Sequence, residues 1–330
     1  MAIHIGRREF VAALGGTAAA WPLTAHAQQP AMSVIGFLHG GSPDGHAPFV
    51  AAFRQGLREA GLIEGQNATI EYCWAEGRYE RLPALAADLV HRQVTVIAAG
   101  STPAAVAAKS ATSTIPIVFQ LGIDPVPLGL VASLNRPRGN VTGVYNWSVD
   151  LGSKQLGLLH ELVPRVTAIA ALVNPNFEGS QQQLKDVEAA ARELGLQLIV
   201  LKAGATLELE TEFATMAQQG TGAFVVGGDA FLLSRRDQIV TLASRHAIPA
   251  IYFDREFAVA GGLMSYGTDI SDSYRQAGIY TGRILRGEKP ADLPVWRSTK
   301  FQFVINLKTA KALGLDVPPG FSARADEIIE

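Results

Sequence analysis

The stretch SVIGFLHGGS, residues 33–42, decides the fold that this sequence predicts. A short apolar run with β-branched residues ends in a loop of glycine and small polar residues, and an amphipathic segment follows at 49–60. This is the order of strand, loop and helix in a βαβ unit. Gly61 stands directly after the amphipathic segment, where a helix C-terminus often has glycine.

The same order recurs in two groups along the chain. The first group of predicted strands is 34–38, 69–74, 94–98, 115–119 and 141–145. A predicted helix at 153–162, ended by Pro164, separates the two groups. The second group is 168–173, 197–201, 223–226, 250–253 and 263–266. We therefore predict an α/β protein with two doubly wound parallel-sheet lobes joined by a multi-strand hinge.

The end of the chain is long enough to cross between the lobes more than once. Its predicted elements are a helix at 273–285, a strand at 301–305 and a closing helix at 308–313. We expect crossings near Asn146, Gly267 and residue 299. The expected domains are an export signal at 1–27, lobe 1 at 32–146 plus 267–298, and lobe 2 at 147–266 plus 299–330.

The composition limits the class of protein. Of 330 residues, 48% are hydrophobic and 18% are charged, and the net charge at pH 7 is −2. No basic patch of the kind that binds phosphate backbones is present in the sequence, so no nucleic-acid partner is expected. The single cysteine, Cys73, excludes an intrachain disulfide and a zinc site of the cysteine type.

The first thirty residues have the pattern of an export signal. Arg7 and Arg8 precede a short apolar run at 12–20, and Ala25-His26-Ala27 is a small-x-small cleavage site. The paired arginines are typical of the twin-arginine type. Cleavage after Ala27 leaves Gln28 and no cysteine for a lipid anchor, which predicts a soluble periplasmic protein that does not insert into the membrane.

Candidate ligand-binding residues come from the loops that follow the strands, because ligands of parallel α/β sheets lie beyond the carboxyl ends of the strands. The candidates are Gly40, Gly41, Ser42, Ser101, Thr102, Asp124, Asn146, Asn174, Asn176, Asp229, Tyr252 and Tyr266. Rings near this expected cleft are Trp147, Tyr252, Phe253 and Tyr266. Glycine and small polar side chains let backbone N–H groups approach a bound molecule.

Two kinds of polar group could recognise a charged ligand. Ser101 and Thr102, with Pro103 at the first helical position, predict a helix N-terminus that suits a carboxylate, or that is an ordinary N-cap. Asp124 and Asp229 each end an apolar strand, where they could bind an ammonium group or cap the next helix.

Motifs of catalysis are not found in the sequence. It has no HExxH, no G-x-S-x-G, no GxxxxGK[ST] and no GxGxxG. His39 and His46 flank the first loop without a third metal ligand near them in the sequence. We therefore expect no enzyme activity, no metal and no cofactor.

Several motifs, taken together, resemble one family. They are VIGFL (34–38), FRQGLREAG (53–61), IPIVF (115–119), DPV (124–126), GLV (129–131), GNVTG (139–143), LVNPN (172–176) and IPA (248–250). These motifs resemble the ABC-transporter substrate-binding family related to tryptophan- and tyrosine-binding lipoproteins. The resemblance implies a type I periplasmic-binding fold with three crossovers, and a ligand held between the lobes. It also implies that Ser101 and Thr102 take a carboxylate and that Asp124 or Asp229 takes an amine.

The expected function is the extracytoplasmic solute-binding component of an ABC importer. Its ligand is expected to be a small organic solute such as an amino acid, aromatic or not, or a related organic acid. The resemblance implies permease and ATPase partners on separate chains, and the protein is expected to act as a monomer. Two alternatives remain open at this point, a ligand-sensing partner of a membrane receptor or kinase, and a periplasmic α/β enzyme.

Overall fold

The structure is a computed structural model that describes residues 32–146 and 151–330. The export signal predicted at 1–27 and the ring of Trp147 lie outside these described residues. The strands are β1 (Ser33–His39), β2 (Ala68–Trp74), β3 (Val96–Ala99), β4 (Ile117–Leu121), β5 (Val141–Tyr145), β6 (Ala168–Val173), β7 (Gln197–Lys202), β8 (Ala223–Val226), β9 (Ala250–Tyr252), β10 (Met264–Thr268), β11 (Trp296–Arg297), β12 (Phe301–Asn306) and β13 (Glu327–Ile329).

Helices cover these strands. They are α1 (Pro43–Glu59), α2 (Leu82–His91), α3 (Thr102–Ala111), α4 (Gly152–Leu162), α5 (Ser180–Glu193), α6 (Thr206–Gln218), α7 (Ala230–Ser234), α8 (Arg236–Arg245), α9 (Arg255–Val259), α10 (Ile270–Leu285), α11 (Leu307–Ala312) and α12 (Pro319–Ser322). Short 3-10 turns lie at Tyr79–Arg81 and Pro290–Asp292. In the described ranges, no helix is both long and apolar enough to cross a membrane.

The strands form two sheets. Within the described residues, the first sheet has the order β11-β5-β4-β3-β1-β2 and the second the order β13-β12-β10-β9-β8-β6-β7. Neighbouring strands are parallel except β12, which runs antiparallel to β10. This arrangement confirms the predicted fold class. We call the first sheet with α1, α2, α3 and α10 lobe 1, and the second sheet with the remaining helices lobe 2.

The described chain passes between the two sheets at three places. It leaves lobe 1 after β5, returns to it between β10 and α10, and leaves it again between β11 and β12. Helix α10 is held in lobe 1 by backbone contact with α1. A Cβ added at Gly56 would lie 1.9 Å from the carbonyl oxygen of Arg275, so a larger residue would force the two helices apart.

Most predicted strands agree with the structure, and the differences lie at the ends and in the short elements. Helix α1 begins at Pro43 rather than at residue 49, and β3 begins at Val96 rather than at residue 94. Helices α5 to α9 and α12 and strands β11 and β13 have no counterpart among the predicted elements. Strand β11 has only two residues, which are too few to show an alternating pattern.

Candidate ligand-binding site

A cavity lies between the two lobes at the carboxyl ends of their strands. It comprises about 480 Å³ of space free of protein atoms, including the part that opens to solvent. Lobe 1 and the segments that leave it contribute mostly polar side chains to the lining: His46, Ser101, Thr102, Gln120, Asn146 and Tyr274. Lobe 2 contributes one carboxylate among apolar groups: Phe177, Asp229, Ala230, Leu233 and Phe253. This is the position expected for a ligand site in parallel α/β sheets.

The N-terminus of α3 forms one wall of this cavity. Ser101 is the N-cap, but its side chain makes no capping hydrogen bond and instead accepts one from the N–H of Gly40, at 3.1 Å. Thr102 is the first helical residue and Pro103 the second, so the helix begins one residue earlier than the sequence predicts. The first-turn N–H groups of Thr102 and Ala104 therefore have no capping side chain in the described structure, and the helix dipole favours an anion beside them.

A chain of hydrogen bonds between buried side chains runs from lobe 1 to lobe 2 beside the cavity. The side-chain N–H of Gln120, inside β4, donates to Asn146 Oδ1 at 3.0 Å. Asn146 Nδ2 donates in turn to Thr268 Oγ1, at the end of β10, at 2.8 Å. These bonds join the first and second passages between the sheets, so Asn146 links the hinge segments while it lines the cavity.

Asp229 is the carboxylate of the cavity and the N-cap of α7. Its Oδ1 accepts from the Leu232 N–H and from Asn174 Nδ2, each at 3.0 Å, and its Oδ2 accepts from the Tyr79 hydroxyl at 2.6 Å. Burial raises the pKa of Asp229, and these hydrogen bonds oppose that rise. Asp229 lines the cavity, so its carboxylate lies within reach of a bound cation.

Direct hydrogen bonds hold the two lobes against each other. The Tyr79 hydroxyl of lobe 1 donates to Asp229 and accepts from the N–H of Phe231, at 3.1 Å. Arg236 of lobe 2 donates to the carbonyl oxygen of Gly45 at 2.6 Å. The N–H of Ser42 donates to Ser234 Oγ at 3.2 Å. The lobes are therefore closed over the cavity.

The predicted loop 40–42 supports the cavity without lining it. Each of its N–H groups has an acceptor: Ser101 Oγ for Gly40, His39 Nδ1 for Gly41 and Ser234 Oγ for Ser42. Asn174 is buried and holds Asp229, whereas Asn176 is exposed outside the cavity.

Tyr252 and Tyr266 are also absent from the described cavity lining. Tyr252 is 1% exposed and stacks on Phe257 with ring centroids 4.6 Å apart, so it is a core residue of lobe 2. Tyr266 is half-buried and stacks on Phe301. Side chains within a strand point to the two faces of the sheet, so neither ring points beyond the strand end, where the cavity lies.

Asp124 is not part of the described lining either, although the sequence singles it out for an ammonium group. It is exposed, and its Oδ1 accepts from the N–H of Val126 at 2.9 Å, as in an Asx turn. Replacing Asp124 with alanine is expected to leave ligand affinity within twofold of wild type. The lost turn hydrogen bond should lower the free energy of unfolding by about 1 kcal/mol, measured by urea titration. A tenfold loss of affinity in calorimetry would contradict this placement.

Other residues of the site were not expected from the sequence. His46 lies on α1, Tyr79 in a 3-10 turn and Tyr274 on α10, and each lies more than three residues beyond the end of the preceding strand. Gln120 had a usable signal, since it is the one polar residue in the apolar run IPIVFQL, 115–121. No cluster of three or more His, Cys, Asp or Glu side chains that could hold a metal ion occurs in the part of the chain that the structure describes.

Asp254 gives lobe 2 a pH-dependent stability. It is the buried N-cap of α9, and burial raises its pKa to about 7 from an ordinary 3.8. The folded state therefore binds the proton more tightly, and stability falls as the pH rises through 7. We compare the free energy of unfolding of the Asp254→Asn variant with that of wild type. The difference, variant minus wild type, should be about 1.4 kcal/mol larger at pH 8 than at pH 6. A difference that stays constant across this range, in urea titrations, would contradict the raised pKa.

Comparison with known proteins identifies the family. The profile of the ABC transporter substrate binding proteins matches residues 32–329. A tyrosine-binding protein of Clostridioides difficile (strain R20291) is 27% identical over 264 residues, which are 80% of this chain and 75% of that protein.

Solved structures agree with the fold. The ABC domain from Streptococcus pneumonia in complex with L-Trp has 28% identity and a TM-score of 0.81, covering 90% of this chain and 99% of that one. A ligand-free, open substrate binding protein with adhesive properties from Clostridium difficile has 25% identity over the same shares, with a TM-score of 0.62. Because the family profile spans the described chain from end to end, this chain belongs to the family of ABC transporter substrate-binding proteins.

Proposed function

We propose that this protein captures an amino acid with an aromatic side chain between its lobes and delivers it to an ABC importer. The ligand carboxylate binds at the N-terminus of α3, the ammonium group lies toward Asp229, and the side chain lies among the apolar groups of lobe 2. The protein binds this solute without converting it.

The N-terminus of α3 is the observation that carries the proposal. Ser101, Thr102 and Pro103 at its start line the cavity, its first-turn N–H groups have no capping side chain, and no Lys or Arg is found among the described lining residues. A carboxylate bound there is stabilised by charge-assisted hydrogen bonds and by the helix dipole. Because this lining offers no cationic side chain to balance several negative charges, the cavity favours a ligand with a single carboxylate.

The opposite wall favours a ligand that is also cationic and apolar. Asp229 is 6% exposed and lines the cavity, so an ammonium group beside it offsets part of the cost of burying the carboxylate. Phe177, Leu233 and Phe253 offer an apolar surface to a ring. The tyrosine-binding relative and the L-Trp complex are consistent with this ligand class.

We place this capture outside the cytoplasm. The predicted twin-arginine signal at 1–27, with no cysteine at residue 28, supports export as a soluble periplasmic protein. Family membership supports a permease and an ATPase on other chains as partners. The protein is proposed to work as a monomer, with the hinge segments near Asn146 and Thr268 absorbing the opening of the lobes.

A thermal-shift screen of the purified protein with the twenty amino acids tests the proposal. L-Tryptophan, L-tyrosine or L-phenylalanine should raise the melting temperature, because a ligand at 100 times its Kd stabilises the folded state by about 2.7 kcal/mol. Tryptamine and indole-3-propionate, which each lack one charged group, serve as controls and should give no shift. An absence of shift with every amino acid, or recovery of a chemically altered ligand, would overturn the proposal.

A further inference from the structure

Two histidines from lobe 1 lie together beside the cavity. His39 ends β1 and His46 lies in the first turn of α1, and their ring centroids are 4.1 Å apart. Both are buried, at 0% and 1% exposure, beside the rings of Trp74 and Tyr274. Neither has a role in the carboxylate or ammonium sites above.

His39 has both ring nitrogens occupied. The N–H of Gly41 donates to its Nδ1 at 2.8 Å, so Nδ1 carries no proton. Its Nε2 lies 2.7 Å from the Tyr274 hydroxyl, whose own proton is donated to the carbonyl oxygen of Gly100. His39 Nε2 is therefore the donor of that pair, and His39 is a structural, neutral histidine.

His46 has the opposite tautomer and one nitrogen to spare. Its Nδ1 lies 3.2 Å from the carbonyl oxygen of Ser42, which can only accept, so Nδ1 carries the proton. Ser234 Oγ lies 3.4 Å from the same nitrogen and already donates to the carbonyl oxygen of Ala230. His46 Nε2 is thus a bare acceptor in the neutral ring.

The ring of His46 lines the cavity. The hydrogen bonds that the described residues make with this ring involve Nδ1, and none is found at Nε2. The free space beside this 1% exposed ring is the cavity that it lines. An acceptor in such a place is left unsatisfied unless a ligand donates to it.

The surroundings of His46 keep the ring neutral. Burial lowers its pKa to about 3, the hydrogen bond to Ser42 opposes this, and the charge of Arg236 lowers it further. His39, neutral with its own pKa held well below the ordinary value, faces it from β1, and Arg236 faces it from α8. The un-ionised Tyr274 lies behind His39 on α10.

We propose that His46 Nε2 accepts a hydrogen bond from an N–H or O–H group of the bound amino acid and so selects ligands that carry that donor. The inference rests on the function proposed above, and it names a further recognition point for the same ligand. The donor is either the ammonium group or a polar hydrogen of the side chain, such as an indole N–H or a phenol O–H.

Two conservative variants separate this role from a structural one. In His46→Asn the amide nitrogen can replace Nδ1 and keep the bond to Ser42, but the acceptor is lost. In His46→Gln the amide oxygen can replace Nε2, but the bond to Ser42 is lost. We expect calorimetry on the purified full chain to show at least a tenfold loss of L-tryptophan or L-tyrosine affinity for His46→Asn and less than threefold for His46→Gln.

Ligand pairs identify which donor is bound. If His46 takes the side-chain donor, wild type prefers L-tryptophan over 3-benzothienyl-L-alanine, or L-tyrosine over L-phenylalanine, by about tenfold, and His46→Asn loses this preference. If it takes the ammonium group, both members of each pair lose affinity equally in His46→Asn.

Two results would overturn the inference. These are equal affinity of wild type and a folded His46→Asn variant, or a larger loss for His46→Gln than for His46→Asn. If wild type still binds amino acids when one of these results is found, only the role of His46 is rejected and the proposed function stands. If wild type binds no amino acid, the proposed function itself is rejected.

Discussion

Replacing Ser101 with aspartate is expected to weaken amino-acid binding by at least about 100-fold without unfolding the protein. Aspartate is a favourable N-cap, and its carboxylate can accept from the first-turn N–H groups of α3 and from Gly40. The new side-chain carboxylate thereby occupies the place of the ligand carboxylate and repels the ligand. Losing two charge-assisted hydrogen bonds, each worth about 1.5–3 kcal/mol, accounts for this factor. Calorimetric titration with L-tryptophan measures it.

A matched N-cap change elsewhere is the control for this prediction. Ala205 is the exposed N-cap of α6 and lies outside the cavity lining, so Ala205→Asp adds the same charge at the same helical position. Its affinity for the ligand should stay within twofold of wild type. If a folded Ser101→Asp variant binds as tightly as Ala205→Asp, the carboxylate does not bind at α3.

Replacing Gly45 with leucine is expected to block closure of the lobes. A Cβ at Gly45 would lie 2.6 Å from the Cα of Ser234, which belongs to the other lobe. The clash exists only when the lobes are closed, and leucine favours the helix over glycine by about 1 kcal/mol. We therefore expect stable lobes that remain apart. A penalty of about 3 kcal/mol on the closed state lowers affinity about 100-fold.

Gly157→Leu is the control for the blocked cleft. Gly157 lies in α4, and a Cβ there would meet no described atom within 4 Å. Calorimetry should show wild-type affinity for Gly157→Leu and a loss for Gly45→Leu. Small-angle scattering with saturating L-tryptophan should show compaction of wild type and of Gly157→Leu only. Equal compaction of Gly45→Leu would contradict closure as the binding event.

The sequence predicts the architecture of this protein well, because the architecture depends on repeated local patterns. Apolar runs such as 168–173 and 223–226 coincide with strands β6 and β8, and the strand-end rule identifies Ser101, Thr102 and Asp229 as lining residues. These three residues follow strands directly, so their position requires no knowledge of the tertiary structure.

The sequence does not predict which strand-end side chains turn inward. Asp124 and Asp229 both follow apolar strands, yet one forms an exposed turn and the other is buried by Tyr79, 150 positions away in the chain. Tyr252 resembles a cleft ring by position, but it packs into the core on Phe257. His46 contacts the cavity from the first turn of a helix, and its role depends on the tautomer that Ser42 imposes.

A crystal structure of the protein grown with L-tryptophan measures the central proposal most directly. We expect the ligand between the closed lobes, with its carboxylate within hydrogen-bond distance of the Thr102 and Ala104 N–H groups and its ring against Phe177 or Phe253. A ligand bound outside this cavity, or bound inside it with its carboxylate away from α3, would contradict the proposal.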